Sequence, residues 1–382
     1  MKAQKKEQKQ VGVTTDKRLL LLSPEASRRT DERVLYARNK LLAGAKPSVV
    51  GGKPITEEEA TELRILTFGT AACPPRGEWV RTPLIMRPPD QPLAYGLSAP
   101  RNAARSLLSA LQAHIIKWLL FDSRPQTRDN KSALPPDTRL LVQGKEVVLH
   151  IYEFKNMEDL QIFIKRYLYL FQTEEGSGAL LLLYSVVLSR GLENIKKDLD
   201  GKLTNLVSSH VEGSINIVTL LLTGRATPYL HNGVLYVGDE DHYAMPQFGI
   251  LSRSPVGLLV WYGGEDGSKN NINKQYPGSR LKTPAMPIWV TSCSGHYGLL
   301  FNTNRELLRN YHAERRFDIN YYTCGGCHVL LNVDTRAHDD AAGPVRNDDI
   351  SATPLEKLIH TKWQDAKITW TGPAPYVNEP PK

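Results

Sequence analysis

The chain has 382 residues, of which 41% are hydrophobic and 23% are charged, and its formal net charge is +8. This composition is typical of a globular protein with a sizeable core, and it excludes a fibrous or wholly disordered chain. Most of the surplus charge lies in residues 1–50, which hold twelve Lys or Arg residues against five acidic ones. We interpret this stretch as a basic flexible extension, while a nucleic-acid, membrane-surface or nuclear-import element stays open as an alternative.

The ends and the cysteines indicate where the protein works. The first ten residues, MKAQKKEQKQ, are too polar for a secretory signal. The longest apolar run, residues 179–188, has about half the length of a membrane-spanning helix. Four cysteines in a chain of this length fit a reducing compartment. We therefore expect an intracellular protein without a transmembrane segment, cytoplasmic or also nuclear.

The first half of the chain is predicted to be mainly helical. Thr56 precedes three glutamates, which predicts a helix start followed by a helix through Leu63. The proline-rich residues 74–92 predict an ordered loop or an extended connector instead of regular structure. Apolar residues at helical spacing predict a buried amphipathic helix from Asn102, with Asn102 as its cap, through Leu119. A further helix is expected over 157–171, and the run 179–188 suits a buried strand or a buried helix.

The second half is predicted to be mainly strands. They are expected at 257–262, 288–291 and 296–301, followed by a hairpin over 317–334 with its turn at Gly325-Gly326. Helices followed by strands indicate an α+β fold. We expect one large domain over residues 51–372, with the basic extension 1–50 before it and a flexible tail over 373–382.

The string Cys324-Gly-Gly-Cys327-His328 matches the spacing for covalent haem attachment. We reject that interpretation because such attachment occurs outside the cytosol. A structural zinc site is also disfavoured, because no second pair of ligands has metal spacing. We expect no cofactor and no metal, and interpret the string as a hairpin with two thiols facing each other across the turn. Cys73 and Cys293 are interpreted as structural cysteines.

A protease thiol is usually activated at a helix N-terminus, and the place with that geometry is Asn102 to Arg105. Residues 95–113 there read YGLSAPRNAARSLLSALQA. This string resembles the MINDY deubiquitinases, most closely the fourth branch, which includes an inactive B-type member. Active members carry Tyr-Gly-Leu/Ile-Val-Gln-Asn-Lys-Gly-Gly-Pro-Cys-Gly at the same spacing. The resemblance places Arg105 at the position of the nucleophilic cysteine and Ala99 at that of the oxyanion-hole glutamine.

The similarity continues over roughly residues 62–372. It includes 220–224, 281–284 with 287–290, the strand HYGLLF at 296–301, and 361–363. In active members the histidine that opens this strand is the general base, so the resemblance assigns that role to His296. It also implies a cysteine-protease-like fold and polyubiquitin of the degradation-signalling linkage as a partner.

The substitutions predict a pseudoenzyme, an inactive ubiquitin carboxyl-terminal hydrolase that binds such chains without cleaving them. Arg105 has no nucleophilic atom and stays charged, so it serves as neither nucleophile nor base. Loss of the glutamine donor at Ala99 is expected to reduce the rate about a hundredfold or more. Ser106 is a nearby hydroxyl, but one residue along a helix turns it by about 100° from the attack direction.

Three further hypotheses stay open. The chain is a residual deubiquitinating hydrolase that uses Ser106 or a cysteine brought from elsewhere. Alternatively, Arg105 pairs with the C-terminal carboxylate of free ubiquitin, because guanidinium and carboxylate form a charge-assisted fork. Lastly, residues 1–50 bind nucleic acid or a membrane surface, although we regard nucleic acid as a disfavoured partner.

Overall fold

A computed structural model of the protein describes residues 51–71, 77–90, 93–99, 104–122, 138–143, 149–173, 176–201, 205–207, 213–238, 245–263, 276–336 and 352–371. Several predicted features lie outside these residues, namely the basic extension 1–50, Cys73, Asn102 and the tail 373–382. The proposed binding role of residues 1–50 and the domain boundaries therefore stay predictions.

The described chain begins with strand β1 (Lys53–Pro54) and helix α1 (Glu57–Phe68). The start of α1 is a capping box, as the sequence predicts. The Thr56 hydroxyl accepts from the Glu59 amide, and the Glu59 carboxylate accepts from the Thr56 amide. The helix ends at Gly69, whose φ of 85° is left-handed. It is longer than predicted because the chain stays helical beyond Leu63 up to this glycine.

Further helices follow in chain order. They are α2 (Gly77–Val80), α3 (Arg105–Lys117), α4 (Met157–Tyr167), α5 (Tyr169–Gln172), α6 (Gly178–Arg190), α7 (Leu192–Leu199), α8 (Ile215–Thr223), α9 (Ser279–Lys282), α10 (Tyr311–Arg315) and α11 (Pro354–His360). A π-helical turn, Trp118–Asp122, extends α3, and a 3₁₀ turn spans Arg305–Leu308. The helix predicted over 157–171 is confirmed as α4 and α5.

The apolar run 179–188, which the sequence left open between strand and helix, lies within the buried helix α6. Its hydrophobic residues cover most of the helix circumference, so periodicity alone does not distinguish the two structures. Within the described residues, no single helix has the length and apolar character to cross a bilayer. Helices α6 and α7 meet at an angle of 87°, and only their combined length and composition would suffice.

Three small antiparallel sheets precede the main one. Strand β1 pairs with β5 (Leu149–Phe154), which also pairs with β4 (Thr138–Gln143). Strand β2 (Ile85–Met86) pairs with β3 (Leu97–Ser98), and β6 (Val234–Val237) pairs with β7 (Met245–Phe248). The β2–β3 pair leads into α3 and so helps to position its N-terminus.

The main sheet has six strands in the order β13-β12-β11-β10-β9-β8. They are β8 (Gly257–Trp261), β9 (Ile288–Cys293), β10 (His296–Phe301), β11 (Arg316–Tyr322), β12 (His328–Asp334) and β13 (Lys367–Thr371). Neighbours are antiparallel except for the parallel pair β8 and β9. The predicted strands and the hairpin are confirmed, as is the mixture of helices and sheet expected of an α+β fold.

Helices cover both faces of this sheet. On one face, Leu108 and Ile116 of α3 pack with Val290, Leu299 and Tyr322. On the other face, α11 packs against a second cluster of apolar side chains. That cluster includes Trp289, Leu300, Ile319, Tyr321, Leu331, Leu355, Leu358 and Ile359. The alternation of side chains along each strand divides the core into these two clusters, so α3 is held on the sheet face that also carries Tyr322.

Candidate active site at the N-terminus of helix α3

Helix α3 begins at Arg105, and Ala104 is its N-cap residue. Ala104 has φ −66° and ψ 61°, which lies outside the helical region, and its side chain makes no cap hydrogen bond. The predicted cap, Asn102, lies outside the described residues, and the structure places the N-cap at Ala104 instead. Arg105 lies in the first turn, where a positive charge opposes the helix dipole by about 0.3–1 kcal/mol.

The guanidinium of Arg105 lies against the turn between β11 and β12. A Cβ atom placed on Gly325 would be 3.3 Å from both Nη1 and Nη2 of Arg105. Arg87 lies on the same turn: its Nη2 donates to the Cys324 carbonyl at 3.0 Å, and a Cβ atom on Gly326 would be 2.8 Å from that nitrogen. Two guanidinium groups thus flank the turn that the sequence predicts only as a Gly-Gly hairpin turn.

Cys324 is buried at this junction, with 1% of its surface exposed. Burial raises the pKa of its thiol to about 12, although the Ser109 hydroxyl and the charges of Arg105 and Arg87 act in the opposite direction. The thiol is therefore protonated at neutral pH in this conformation. Sequence reasoning missed this residue as a site residue, since its contact with α3 joins segments that lie far apart in the chain.

Ala99, which the resemblance assigns to the position of the oxyanion glutamine, belongs to the same neighbourhood. Its amide donates to the Cys324 carbonyl at 3.1 Å. The segment before it is tied to α3 by the fully buried Gln112, whose side chain accepts from the Leu97 amide at 2.6 Å and donates to the Tyr95 carbonyl at 3.0 Å. A polar residue on the buried face of a predicted amphipathic helix is the sequence signal for this role.

The two hairpin thiols do not face each other across the turn, and that prediction is wrong. Thr323 and Cys327 are opposite each other instead, and the Thr323 amide donates to the Cys327 carbonyl at 2.9 Å. The odd number of residues in the loop between them shifts the pairing by one residue. Cys324 accordingly belongs to the α3 side of the sheet and Cys327 to the α11 side, and both thiols are free.

Ser106, weighed as a substitute nucleophile, is completely buried. It packs against Gly213, where even a Cβ atom would overlap the Ser106 hydroxyl. Among the residues that the structure describes, none forms a hydrogen bond with this hydroxyl. Its direction differs from that of Arg105, as the helical rotation predicts, and burial excludes it as an accessible nucleophile in this conformation.

His296 is the exposed first residue of β10, next to the Ser294-Gly295 turn. The ladder between β10 and β11 covers Leu299 to Phe301, so His296 lies about 10 Å before it along the strand. Tyr297 belongs to the cluster beneath α3. Strand alternation then directs His296 toward the opposite face. The structure brings together Ala99, Arg105 and Cys324, but it does not direct His296 onto the same face.

The other described cysteine, Cys293, ends β9, and burial raises the pKa of its thiol to about 11. Among the residues that the structure describes, no group of three His, Cys, Asp or Glu side chains is arranged to hold a metal ion. Beside the start of α3, the described residues supply the Cys324 thiol, the Ser109 hydroxyl, two guanidinium groups and backbone amides.

Several curated proteins are similar to this chain. The probable ubiquitin carboxyl-terminal hydrolase MINDY-4 of Xenopus tropicalis is 30% identical over 367 residues, which cover 86% of this chain and 47% of that protein. The human MINDY-4 is 27% identical, and the match covers 89% of this chain and 49% of that protein. The ubiquitin carboxyl-terminal hydrolase MINDY-3 of Danio rerio is 26% identical, and the match covers 51% of this chain and 44% of that protein. The chain spans about half the length of these relatives, and no solved structure matches it.

These names overturn the prediction that the chain is a pseudoenzyme. Its relatives are named as ubiquitin carboxyl-terminal hydrolases, which favours an enzyme. The prediction rested on the absence of cysteine at Arg105 and of glutamine at Ala99. The structure instead places Cys324 beside Arg105.

The resemblance to the MINDY family over roughly residues 62–372 is confirmed. The family model described as deubiquitinating enzyme MINDY-3/4, conserved domain, matches residues 64–143 and 142–372. These matches include α3, the β11–β12 turn and all six strands of the main sheet. The chain therefore belongs to the MINDY-3/4 family of deubiquitinating enzymes.

Proposed function

We propose that this chain is a ubiquitin carboxyl-terminal hydrolase with Cys324 as its nucleophile, acting on polyubiquitin chains of the degradation-signalling linkage. Family membership and the names of the relatives support the reaction class. The packing of α3 against a mainly antiparallel sheet supports a cysteine-protease-like layout, in which a helix N-terminus and a strand end flank the site.

One observation carries the choice of nucleophile. Cys324 is the described thiol whose surroundings include Arg105, the residue at the family's cysteine position. Arg105 and Arg87 both favour the thiolate electrostatically, as cations beside reactive cysteines do. Cys293 and Cys327 have only burial acting on their pKa values, which it raises. Cys324 thus occurs in the cationic environment that an activated thiol requires.

Activity requires the turn to open, because the thiol is now buried and protonated. The turn offers a route, since Gly325 and Gly326 are exposed and Gly326 has a φ of 97°. Moving this turn outward would bring Cys324 into water and remove the burial that raises its pKa. Arg105 and Arg87 act in the direction that favours the thiolate, and burial would no longer oppose them.

In the proposed reaction, the Cys324 thiolate attacks the carbonyl carbon of the isopeptide bond and forms a tetrahedral oxyanion. Arg105 and the first backbone amides of α3 stabilise this oxyanion. Collapse breaks the C–N bond, and the leaving amine takes a proton as the thioester forms. Water then hydrolyses the thioester, which releases a ubiquitin carboxylate and regenerates the thiol.

His296 is proposed as the proton donor to the leaving amine. It is the exposed first residue of β10. Strand alternation directs the His296 side chain toward the sheet face opposite α3. To reach Cys324, this side chain must therefore move around the end of β10. Removal of His296 is therefore expected to slow cleavage without preventing covalent capture of an electrophile by the thiol.

Labelling with ubiquitin that carries a thiol-reactive group in place of its C-terminal carboxylate tests this proposal. The wild-type chain is expected to gain one ubiquitin, and peptide mass spectrometry should locate it on Cys324. Cys324→Ala should abolish labelling, whereas Cys327→Ala should retain it. The second variant is a matched control, because it removes a thiol from the same turn on the other face of the sheet.

Labelling on Cys293 or Cys327, or unchanged labelling of Cys324→Ala, would contradict Cys324 as the nucleophile. Labelling that is absent from the wild type, under conditions in which another MINDY deubiquitinase is labelled, would contradict the hydrolase proposal itself. Labelling of Cys324 combined with slow cleavage in His296→Ala would support both assigned roles.

A further inference from the structure

An apolar cavity with a volume of about 350 Å³ lies between α3, α4, α6 and the β2–β3 pair, and we name it the α3–α4 cavity. Leu111 and Ile115 of α3 line it, as do Ile164 of α4 and Leu182 of α6. Together with Leu97 of β3, these side chains belong to segments that are well separated in the chain. The cavity is therefore a product of the way the helices pack and not of any local sequence pattern.

The lining of the α3–α4 cavity disfavours water. Of the residues that line it none is ionisable, and Gln172 carries the polar side chain of the set. A buried water needs about two to four polar partners, which such a lining does not supply. An empty apolar cavity is itself unfavourable, because the surrounding side chains lose dispersion contacts on one side. A hydrocarbon group would restore these contacts without needing hydrogen bonds.

The size and the mouth of the cavity restrict what enters it. A volume of about 350 Å³ is near the lower end of the range of small-molecule sites, roughly 300–1,000 Å³. At about 30 Å³ for each group of the size of a water molecule, it holds about a dozen non-hydrogen atoms. Among the lining residues, Leu168 is 41% exposed and so marks the side that is open to solvent. Gln172 follows it in the chain, at the end of α5. The cavity therefore suits a short apolar chain whose polar end reaches Gln172.

We propose that the α3–α4 cavity binds one unbranched alkyl chain that carries a neutral hydrogen-bonding head group, a hydroxyl or a primary amide. The chain lies inward against Leu111 and Ile115. The head group lies at the mouth, where the amide of Gln172 both donates and accepts hydrogen bonds. A charged head group is disfavoured, because none of the lining residues is ionisable. The ligand contacts the helix that begins at the candidate active site, but the inference does not depend on the reaction proposed above.

Calorimetric titration of the full chain with primary alcohols tests this inference. Each additional methylene from 1-butanol to 1-octanol should lower the dissociation constant about fourfold, because each one is buried in the cavity. The matched probe is 1,8-octanediol, which has the same chain as 1-octanol and a second hydroxyl at the buried end. That hydroxyl finds no partner in an apolar lining, so the diol should bind about fivefold to a hundredfold more weakly than 1-octanol.

Two variants of α4 locate the binding site. Ile164→Phe places a larger side chain in the cavity and should weaken the binding of 1-octanol about tenfold. Ile162→Phe is the matched control, because it makes the same change on the same helix at a side chain that is 50% exposed, and it should leave the affinity unchanged.

Three results would overturn the inference. Two of them concern the wild-type chain and so do not depend on any variant folding. They are an affinity for alcohols that is absent or does not rise with chain length, and equal affinities for 1-octanol and 1,8-octanediol. The third is unchanged binding of 1-octanol by a folded Ile164→Phe chain, which would place the alcohol elsewhere on the protein.

Discussion

Opening of the β11–β12 turn on ubiquitin binding predicts a large change in the reactivity of Cys324. Burial raises the pKa of this thiol from 9.0 to about 12. Near neutral pH, that difference reduces the thiolate fraction about a thousandfold. Because the thiolate is the form that iodoacetamide alkylates, Cys324 should react about a thousandfold more slowly than an ordinary cysteine. Saturation with ubiquitin should recover most of this factor.

The assay follows alkylation of Cys324 and Cys327 in the same digest by mass spectrometry, with and without ubiquitin. Cys327 serves as the internal reference, since it is partly exposed and packs on the other side of the sheet. The alkylation rate of Cys327 should change little when ubiquitin is added. A Cys324 rate that is unaffected by saturating ubiquitin, or that already equals the rate of a fully exposed thiol, would refute the opening of the turn.

Three stability measurements test other parts of the structure. Ser106→Ala should leave the free energy of unfolding unchanged or raise it by up to about 1–3 kcal/mol, because it removes a buried hydroxyl that has no partner among the described residues. Ser185→Ala removes a hydrogen bond to a carbonyl at 2.6 Å and should lower the free energy of unfolding. Urea midpoints distinguish these outcomes, and a destabilised Ser106→Ala would contradict the assigned contacts. Thr353→Ala breaks the capping box of α11 and should cost about 1 kcal/mol, measured the same way; an unchanged midpoint would argue against that cap. The Cys324 thiol has a folded pKa raised above its unfolded value, so its stabilising contribution is complete below pH 9 and declines between pH 9 and about 12. The slope of stability against pH in that window should be shallower in Cys324→Ala by up to about 1.4 kcal/mol per pH unit, and identical slopes would contradict the raised pKa.

Local signals in the sequence predicted the elements well. The Thr56 capping box, the amphipathic pattern of α3 and the Gly325-Gly326 turn depend on neighbouring residues, and the structure agrees with them. Whether residues 179–188 form a strand or a helix was not predictable, because a segment that is buried on nearly all sides has no hydrophobic periodicity that distinguishes the two. The missed pairing of Thr323 with Cys327 has a similar cause, since a shift of one residue in a turn reverses which side chains share a face.

The candidate site was predictable only in part. Similarity to the family assigned roles to the positions of Ala99, Arg105 and His296, which stay predictions, and it did not reveal what surrounds these residues. That Cys324 and Arg87 meet Arg105 depends on how α3 packs on the main sheet, and no local pattern encodes this contact. The predicted loss of activity rested on the residues at Arg105 and Ala99, and the alternative hydrolase hypothesis allowed a cysteine from elsewhere without identifying Cys324.

The most direct test of the central claim is incubation of tetraubiquitin of the degradation-signalling linkage with the wild-type chain and with Cys324→Ala. Release of shorter chains by the wild type, loss of that release in Cys324→Ala and its retention in Cys327→Ala are the predicted results. Intact tetraubiquitin with the wild type, or equal cleavage by Cys324→Ala, would contradict the assignment of Cys324 as the nucleophile of this family member.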